Sequence, residues 1–179
     1  MVQKGLKFIL LFATLLLFDT NCSGDKTPLS AERGEISIHF LSDANISYSD
    51  IAKKNINNLL IKEAVCTAQD IESYTILYSD GNPFKSHVIK FKDEMYEKFG
   101  DHLLPFVFIA NGTRIYKGEY WPAFTSNLPQ GNMLIRFSKE RYDIMPYSEK
   151  GNDEINDPRI LAALSQAGVT IEYRNISRK

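Results

Sequence analysis

Hydrophobic and polar residues alternate in several short segments of this chain, and such alternation predicts β-strands. Residues 35–41 show it first, with apolar side chains at Ile36, Ile38 and Phe40. Residues 70–79 are rich in β-branched and aromatic residues and predict a second strand. Residues 103–110 are apolar at nearly every position, which indicates a central strand covered on both faces.

Three later segments predict further strands. Asn111 and Gly112 predict a tight turn that leads from the apolar segment into a strand over 113–116. Another strand is predicted over 133–137. Apolar residues alternate again over 169–173, which predicts a last strand near the carboxyl terminus.

Two segments with apolar residues at helical spacing predict helices. The first has Ser49 or Asp50 as its N-cap and extends to about residue 65. The second covers 84–99, where an apolar residue recurs every three or four positions and Gly100 follows as a stop.

Residues 118–156 interrupt this regular order. They are rich in proline, glycine and asparagine, which predicts a long excursion from the core. The order resumes with a third helix, which has Asp157 as its N-cap, Pro158 in its first turn and Gly168 after its last turn.

Strands and helices that alternate along a chain are typical of an α/β fold. We therefore expect residues 35–179 to form one α/β domain with a largely parallel sheet and helices between its strands. The composition, with 44% hydrophobic and 24% charged residues, is that of a globular domain with a sizeable core.

The first residues have the layout of an export signal. Two lysines precede an apolar run over 8–18, which is too short to cross a membrane as a helix, since that requires about 20 residues. Polar residues then lead to Cys22. The segment resembles a bacterial lipoprotein signal, in which the cysteine is acylated and begins the mature protein. A plain secretion signal, cleaved nearby, is the alternative.

The lipoprotein resemblance implies a location as well as a modification. It implies a signal peptide over 1–21, lipidation of Cys22 and a flexible tether over 22–34. The exported protein would then be anchored by lipid to a bacterial membrane of the cell envelope.

The charge distribution and the spacing of the histidines predict neither a nucleic-acid partner nor a bound metal ion. The net charge is −1 and the basic residues are scattered, which argues against a nucleic-acid partner. His39, His87 and His102 have no metal-ligand spacing, so neither a metal site nor a cofactor is predicted. No Cys-x-x-Cys pair is present, and we expect Cys66 to be a buried, unreactive thiol.

Residues 157–175, Asp-Pro-Arg-Ile-Leu-Ala-Ala-Leu-Ser-Gln-Ala-Gly-Val-Thr-Ile-Glu-Tyr-Arg-Asn, resemble part of the phospholipase D and nuclease superfamily. In that family such a helix and strand precede a catalytic His-x-Lys-x(4)-Asp motif. Residues 36–43 and 70–77 are similar to two earlier strands of the same family. The resemblance implies a phospholipase D-like half-domain, with phospholipid or another phosphodiester as its substrate.

The catalytic motif of that family is absent from this chain. The segment His87-Val-Ile-Lys90 has the wrong spacing, and the sequence stops at Lys179, about where the motif would begin. Enzymes of this family use the motif histidine as their nucleophile. The resemblance therefore implies a truncated, inactive phosphodiesterase domain with no catalytic residue in this chain.

A second resemblance covers residues 104–122, Leu-Pro-Phe-Val-Phe-Ile-Ala-Asn-Gly-Thr-Arg-Ile-Tyr-Lys-Gly-Glu-Tyr-Trp-Pro. They are similar to the strand-turn-strand half of thioredoxin-like arsenical metallochaperones, which implies that Pro105 is a cis-proline. The loop over 42–49 lacks the cysteines that such proteins use. The alternative function is therefore a non-catalytic binding lipoprotein with a thioredoxin-like fold, and its protein partners are unknown.

Aromatic residues are enriched around the predicted excursion. They are candidates either to line a ligand groove or to cover the core, and they are Tyr116, Tyr120, Trp121, Phe124, Tyr142 and Tyr147.

Overall fold

A computed structural model of the chain describes residues 34–43, 45–92, 95–122 and 131–177. The strands in these ranges are β1 (Ile36–Leu41), β2 (Ile61–Thr67), β3 (Ile71–Tyr78), β4 (Ser86–Phe91), β5 (Leu104–Ala110), β6 (Thr113–Trp121), β7 (Asn132–Arg136), β8 (Arg141–Met145) and β9 (Thr170–Asn175). The α-helices are α1 (Tyr48–Ile51), α2 (Tyr96–Phe99), α3 (Glu149–Ile155) and α4 (Pro158–Gln166). Short 3₁₀ turns cover Ile56–Asn58 and Ala68–Asp70.

The strands form a single curled sheet in the order β2-β1-β5-β6-β7-β8-β4-β3-β9. Its β6·β7 and β3·β9 pairs are parallel, and the other neighbouring strands are antiparallel. The expectation of a largely parallel α/β sheet with alternating helices is therefore wrong, whether as a phospholipase D-like half-domain or as a thioredoxin-like domain.

Tight turns explain why the sheet is mostly antiparallel. Asn111 and Gly112 both have positive φ, at 47° and 71°, and they join β5 to β6 as the predicted hairpin turn. A second turn, with Gly81 at φ 77°, joins β3 to β4. Because a hairpin reverses the chain within a few residues, it produces an antiparallel pair without a crossover helix.

The main core lies on one face of the curled sheet. Apolar side chains from the strands pack there against Phe99 of α2, Ile155 of α3 and Ile160 and Leu164 of α4. The largest fully buried side chains are mostly aromatic. Each ring of this size buries much apolar area, so a few aromatic side chains supply a large part of this core.

A smaller apolar cluster covers the other side of β5. Val107 packs there with Leu41, Tyr48, Ile51 and Leu59, while Phe106 and Phe108 face the main core. The prediction that residues 103–110 form a central strand covered on both faces is confirmed, although both neighbours of β5 are antiparallel to it.

Two predicted helices are wrong. The segment 49–65 contains α1, a 3₁₀ turn and much of β2, and the segment 84–99 contains β4 and α2. In β4 the buried side chains His87, Ile89 and Phe91 alternate with more exposed ones. The same segment also fits helical spacing, and pairing with β3 and β8 decides in favour of the strand.

The described residues of the segment 118–156, namely 118–122 and 131–156, belong to the sheet and core rather than to an excursion. They contain the end of β6 together with β7, β8 and α3. The third predicted helix is confirmed as α4, whose N-cap Asp157 accepts a hydrogen bond from the backbone N–H of Arg159, with Gly168 at φ 74° beyond its end.

The last strand, β9, is confirmed, but it lies at the edge of the sheet beside β3. The peptide bonds of the described residues, including Leu104–Pro105, are trans, so the expectation of a cis-proline at Pro105 is wrong.

The predicted signal peptide over 1–21 and most of the predicted tether, including Cys22, lie outside the described residues. Among the helices in the described ranges, none is long and apolar enough to span a membrane.

Candidate binding groove

A groove of about 580 Å³ crosses the outer face of β8, β4, β3 and β9. Three basic and three acidic side chains line it: Lys90, Arg141, Arg174, Glu72, Glu140 and Glu172. Hydroxyl side chains and Val88 form its floor. We call this surface the mixed-charge groove. It arises because each strand turns its apolar side chains to the core and leaves alternate positions outside.

Strand register arranges the charged side chains in rows. The first row runs across the strands as Arg141, Lys90, Ser73 and Thr170. The second row runs as Asp143, Val88, Thr75 and Glu172.

Arg174, beside Leu77, begins a third row. Adjacent rows are two residues apart along each strand, which corresponds to about 7 Å. At the regularly paired positions the charge therefore changes from positive to negative and back to positive along the strand direction.

A β-bulge adds one more charge to the first row. Ile71 pairs with Phe91 and Ser73 pairs with Lys90, so Glu72 is an extra residue on β3 without an opposite partner on β4. Bulges re-aim a side chain relative to a regular strand. Here the carboxylate of Glu72 lies beside Lys90, whose Nζ is 2.9 Å from each of its oxygens.

Ion pairs hold the basic groups of the groove in place. Arg141 donates from Nε and Nη2 to the two carboxylate oxygens of Asp143, at 2.9 and 2.8 Å, and its guanidinium lies over the Phe137 ring. Arg174 Nη2 lies 3.5 Å from Glu172 Oε2. The hydrogen bond to Asp143 raises the pKa of Arg141, and the hydrogen bond to Glu72 raises the pKa of Lys90.

A buried polar chain lies beneath the groove, on the core side of β3 and β4. The hydroxyl of Tyr74 is 2.7 Å from His87 Nδ1, and His87 Nε2 is 3.3 Å from Asn156 Oδ1. Asn156 donates in turn to the backbone carbonyl of Asn152, at 2.7 Å. Burial lowers the pKa of His87 to about 4, so the ring is neutral at pH 7. These hydrogen bonds link β3 and β4, which carry the groove on their other face, to α3.

A serine and a histidine meet on β1, away from the groove. Ser37 Oγ is 2.9 Å from His39 Nε2, and His39 Nδ1 is 2.9 Å from the backbone carbonyl oxygen of Lys62. Both side chains are half-buried. The ring of His39 therefore links β1 to β2.

The residues singled out in the sequence are divided between the core and the surface. Cys66 is buried, as predicted, although it lies in β2 rather than at the end of a helix, and burial raises the pKa of its thiol well above the ordinary value. The described residues contain no group of three or more His, Cys, Asp or Glu side chains placed to hold a metal ion.

The aromatic candidates mostly cover the core rather than line the groove. The buried members are Tyr116, Tyr120, Trp121 and Tyr142. Tyr147 is exposed, and Phe124 lies outside the described residues.

Sequence reasoning missed the groove, because its charged residues are spread from β3 to β9 and have no motif spacing. The signal available in the sequence is weak. Charged residues alternate with apolar ones in β4, β8 and β9, which is also typical of any solvated strand face.

No protein-family model matches this chain, and no curated protein matches it either.

Proposed function

We propose that this chain is a lipid-anchored binding protein of the bacterial cell envelope, which holds an extended peptide of mixed charge in its groove. The observation that carries the proposal is the alternation of charge between the three rows of the groove. The membrane partner follows from the lipoprotein resemblance of the first 22 residues, with Cys22 as the anchor.

The spacing of the rows fits an extended polypeptide. Side chains at alternate positions of an extended peptide point to the same side and are about 7 Å apart, as are adjacent rows of the sheet. An acidic residue would face Lys90 on β4, a basic residue would face Glu172 on β9, and a second acidic residue would face Arg174 on β9. The preferred ligand sequence is therefore acidic-x-basic-x-acidic.

The same charges argue against a phosphodiester ligand. Lys90, Arg141 and Arg174 each have a carboxylate within 3.5 Å, so a polyanion would meet acidic groups beside every basic one. A groove built this way selects against ligands of a single charge sign, because like charges brought together are costly. The phosphodiesterase expectation also depended on a parallel fold, which this chain lacks.

The test is a comparison of two labelled peptides on the purified full chain. We expect Glu-Ser-Lys-Ser-Glu to bind more tightly than Lys-Ser-Glu-Ser-Lys, measured by fluorescence anisotropy at low salt. Lys90→Gln should weaken binding of the first peptide by up to about fivefold, since an exposed ion pair contributes at most about 1 kcal/mol.

Lys62→Gln is the matched control, because Lys62 is an exposed lysine on β2, outside the groove. It should leave binding unchanged. Equal affinity for the two peptides, or equal effects of the two lysine variants, would contradict the proposal.

A further inference from the structure

Strand β9 forms one edge of the sheet. It pairs with β3 on one side, and no strand of the described residues pairs with its other side. Five of its six residues are exposed, and the Tyr173 side chain is 63% exposed. An open edge of this kind offers unpaired N–H and C=O groups to another strand.

A hydrogen bond to β3 shows which backbone groups of β9 point outward. The N–H of Ile176 donates to the carbonyl oxygen of Tyr78 on β3, at 2.8 Å. Because backbone groups alternate between the two sides of a strand, Thr170, Glu172 and Arg174 also point theirs toward β3. The N–H and C=O groups of Ile171, Tyr173 and Asn175 therefore point outward.

We propose that β9 is a homodimerisation strand, which pairs antiparallel with β9 of a second copy about a two-fold axis at Tyr173. In this register Tyr173 lies opposite Tyr173 of the second copy, and Ile171 lies opposite Asn175. All three residues point their backbone groups outward, so each forms a hydrogen-bonded pair. The contact is self-complementary, as a two-fold dimer requires.

Charge selects this register over its neighbours. It places Glu172 opposite Arg174 of the second copy, and the same pair occurs twice. These are non-hydrogen-bonded positions, where opposing side chains are closest.

A slip of the register in one direction would place Glu172 opposite Glu172, and a slip in the other would place Arg174 opposite Arg174. Like charges directly opposite one another destabilise a strand pair.

The dimer would also join the two grooves. Glu172 and Arg174 line the mixed-charge groove as well as the edge. Pairing at β9 would therefore bring the outer faces of two sheets together, with the groove of one copy beside that of the other. Lys90 and Arg141 lie two and three strands away from this edge, so variants of these residues test the groove without touching the dimer.

Disulfide trapping tests the register directly. Opposing residues of a hydrogen-bonded pair have Cα atoms about 5.5 Å apart, which suits a disulfide. In the full chain carrying Cys22→Ser, we expect Tyr173→Cys to form a cross-linked dimer under mild oxidation. Cys66 is buried and does not interfere.

Two matched variants set the background for this trapping. Glu172→Cys should form several-fold less dimer, because its Cα is far from that of its counterpart in the expected register. Glu63→Cys on β2 should behave in the same way, since it lies at the opposite edge of the sheet. Dimer from either variant equal to that from Tyr173→Cys would overturn the proposal.

A charge exchange tests the cause of the register. Glu172→Arg alone, or Arg174→Glu alone, should lower the dimer fraction of Tyr173→Cys several-fold, because each places like charges opposite one another. The double variant Glu172→Arg/Arg174→Glu should restore it. If the double variant stays at the level of the single ones, or if the single ones have no effect, the proposed register is wrong.

Discussion

At the level of single residues, the hydrogen bonds of Asn156 fix the donor and acceptor roles in the polar chain beneath the groove. Its Nδ2 donates to Asn152, so its Oδ1 accepts from His87 Nε2–H. His87 Nδ1 then accepts from the Tyr74 hydroxyl. Every position in this polar chain is filled by a neutral donor or acceptor, and a second proton on the His87 ring would remove the acceptor of the Tyr74 hydroxyl proton.

His87 therefore makes the stability of the protein depend on pH. Its pKa is about 4 in the folded chain and 6.5 when the ring is free of the fold. Since the folded value is the lower one, its contribution to the free energy of unfolding is complete above pH 6.5 and is lost as the pH falls toward 4. We expect the loss at pH 4 to be about 3 kcal/mol.

The measurement is urea denaturation at pH 7 and at pH 4. His87→Gln should be less stable than the wild type at pH 7 but should lose less on acidification, since glutamine does not titrate. His39→Gln is the control, because that half-buried ring lies far from the polar chain, and it should keep the wild-type loss. Equal losses for wild type and His87→Gln would show that His87 does not carry this dependence.

Single residues were also where sequence reasoning was most accurate. The turn at Asn111-Gly112, the cap at Asp157 and the burial of Cys66 depend on local geometry or on polarity alone. His87 was placed in a helix, because the contacts that bury it come from Tyr74 and Asn156, which are distant in sequence.

At the level of elements, the short helix α2 is held by one aromatic side chain. The ring of Phe99 lies 5.0 to 5.9 Å from the rings of Phe40, Phe91, Tyr120 and Tyr142, measured between centroids. A helix of four residues has little stability of its own. Its position against the main core therefore depends on this packing.

We expect Phe99→Ala to lower the free energy of unfolding by about 3 to 5 kcal/mol, because it removes a fully buried ring and leaves a cavity. Phe84→Ala is the matched control, since that ring is partly exposed and should change stability by less than about 1 kcal/mol. Urea denaturation at pH 7 measures both. A change below about 1 kcal/mol for Phe99→Ala would show that the ring cluster does not stabilise the fold.

Helices and strands were predicted correctly where the sequence fits a single periodicity, and incorrectly where it fits both helical and strand spacing. The apolar run of β5 and the capped pattern of α4 allow a single interpretation. The segments that contain β2 and β4 fit helical spacing over a longer window and strand spacing over a shorter one. Their pairing with β1 and with β3 and β8 decides, and no local pattern shows that pairing.

For the whole molecule, those two errors produced the wrong fold class. Once β2 and β4 are taken as helices, strands and helices alternate, and a parallel α/β sheet follows. Of the two parallel pairs that do form, β3 with β9 joins segments that are far apart in the sequence. The groove depends on the same long-range pairing, because its rows exist only when β8, β4, β3 and β9 are adjacent.

The proposed attachment to the membrane concerns the whole chain, because the groove and β9 would act at a membrane only if the amino terminus held them there. An acyl chain contributes about 0.8 kcal/mol for each buried CH₂ group, so a cysteine that carries several chains anchors a protein stably.

We expect the wild type, expressed in a bacterial host, to enter the detergent phase of a Triton X-114 partition and to carry lipid on Cys22. Cys22→Ser should carry no lipid and move to the aqueous phase. Cys66→Ser, which changes a buried thiol in β2, should partition like the wild type. Lipid on Cys22→Ser, or a wild type without lipid on Cys22, would refute the anchor and leave a secreted binding domain.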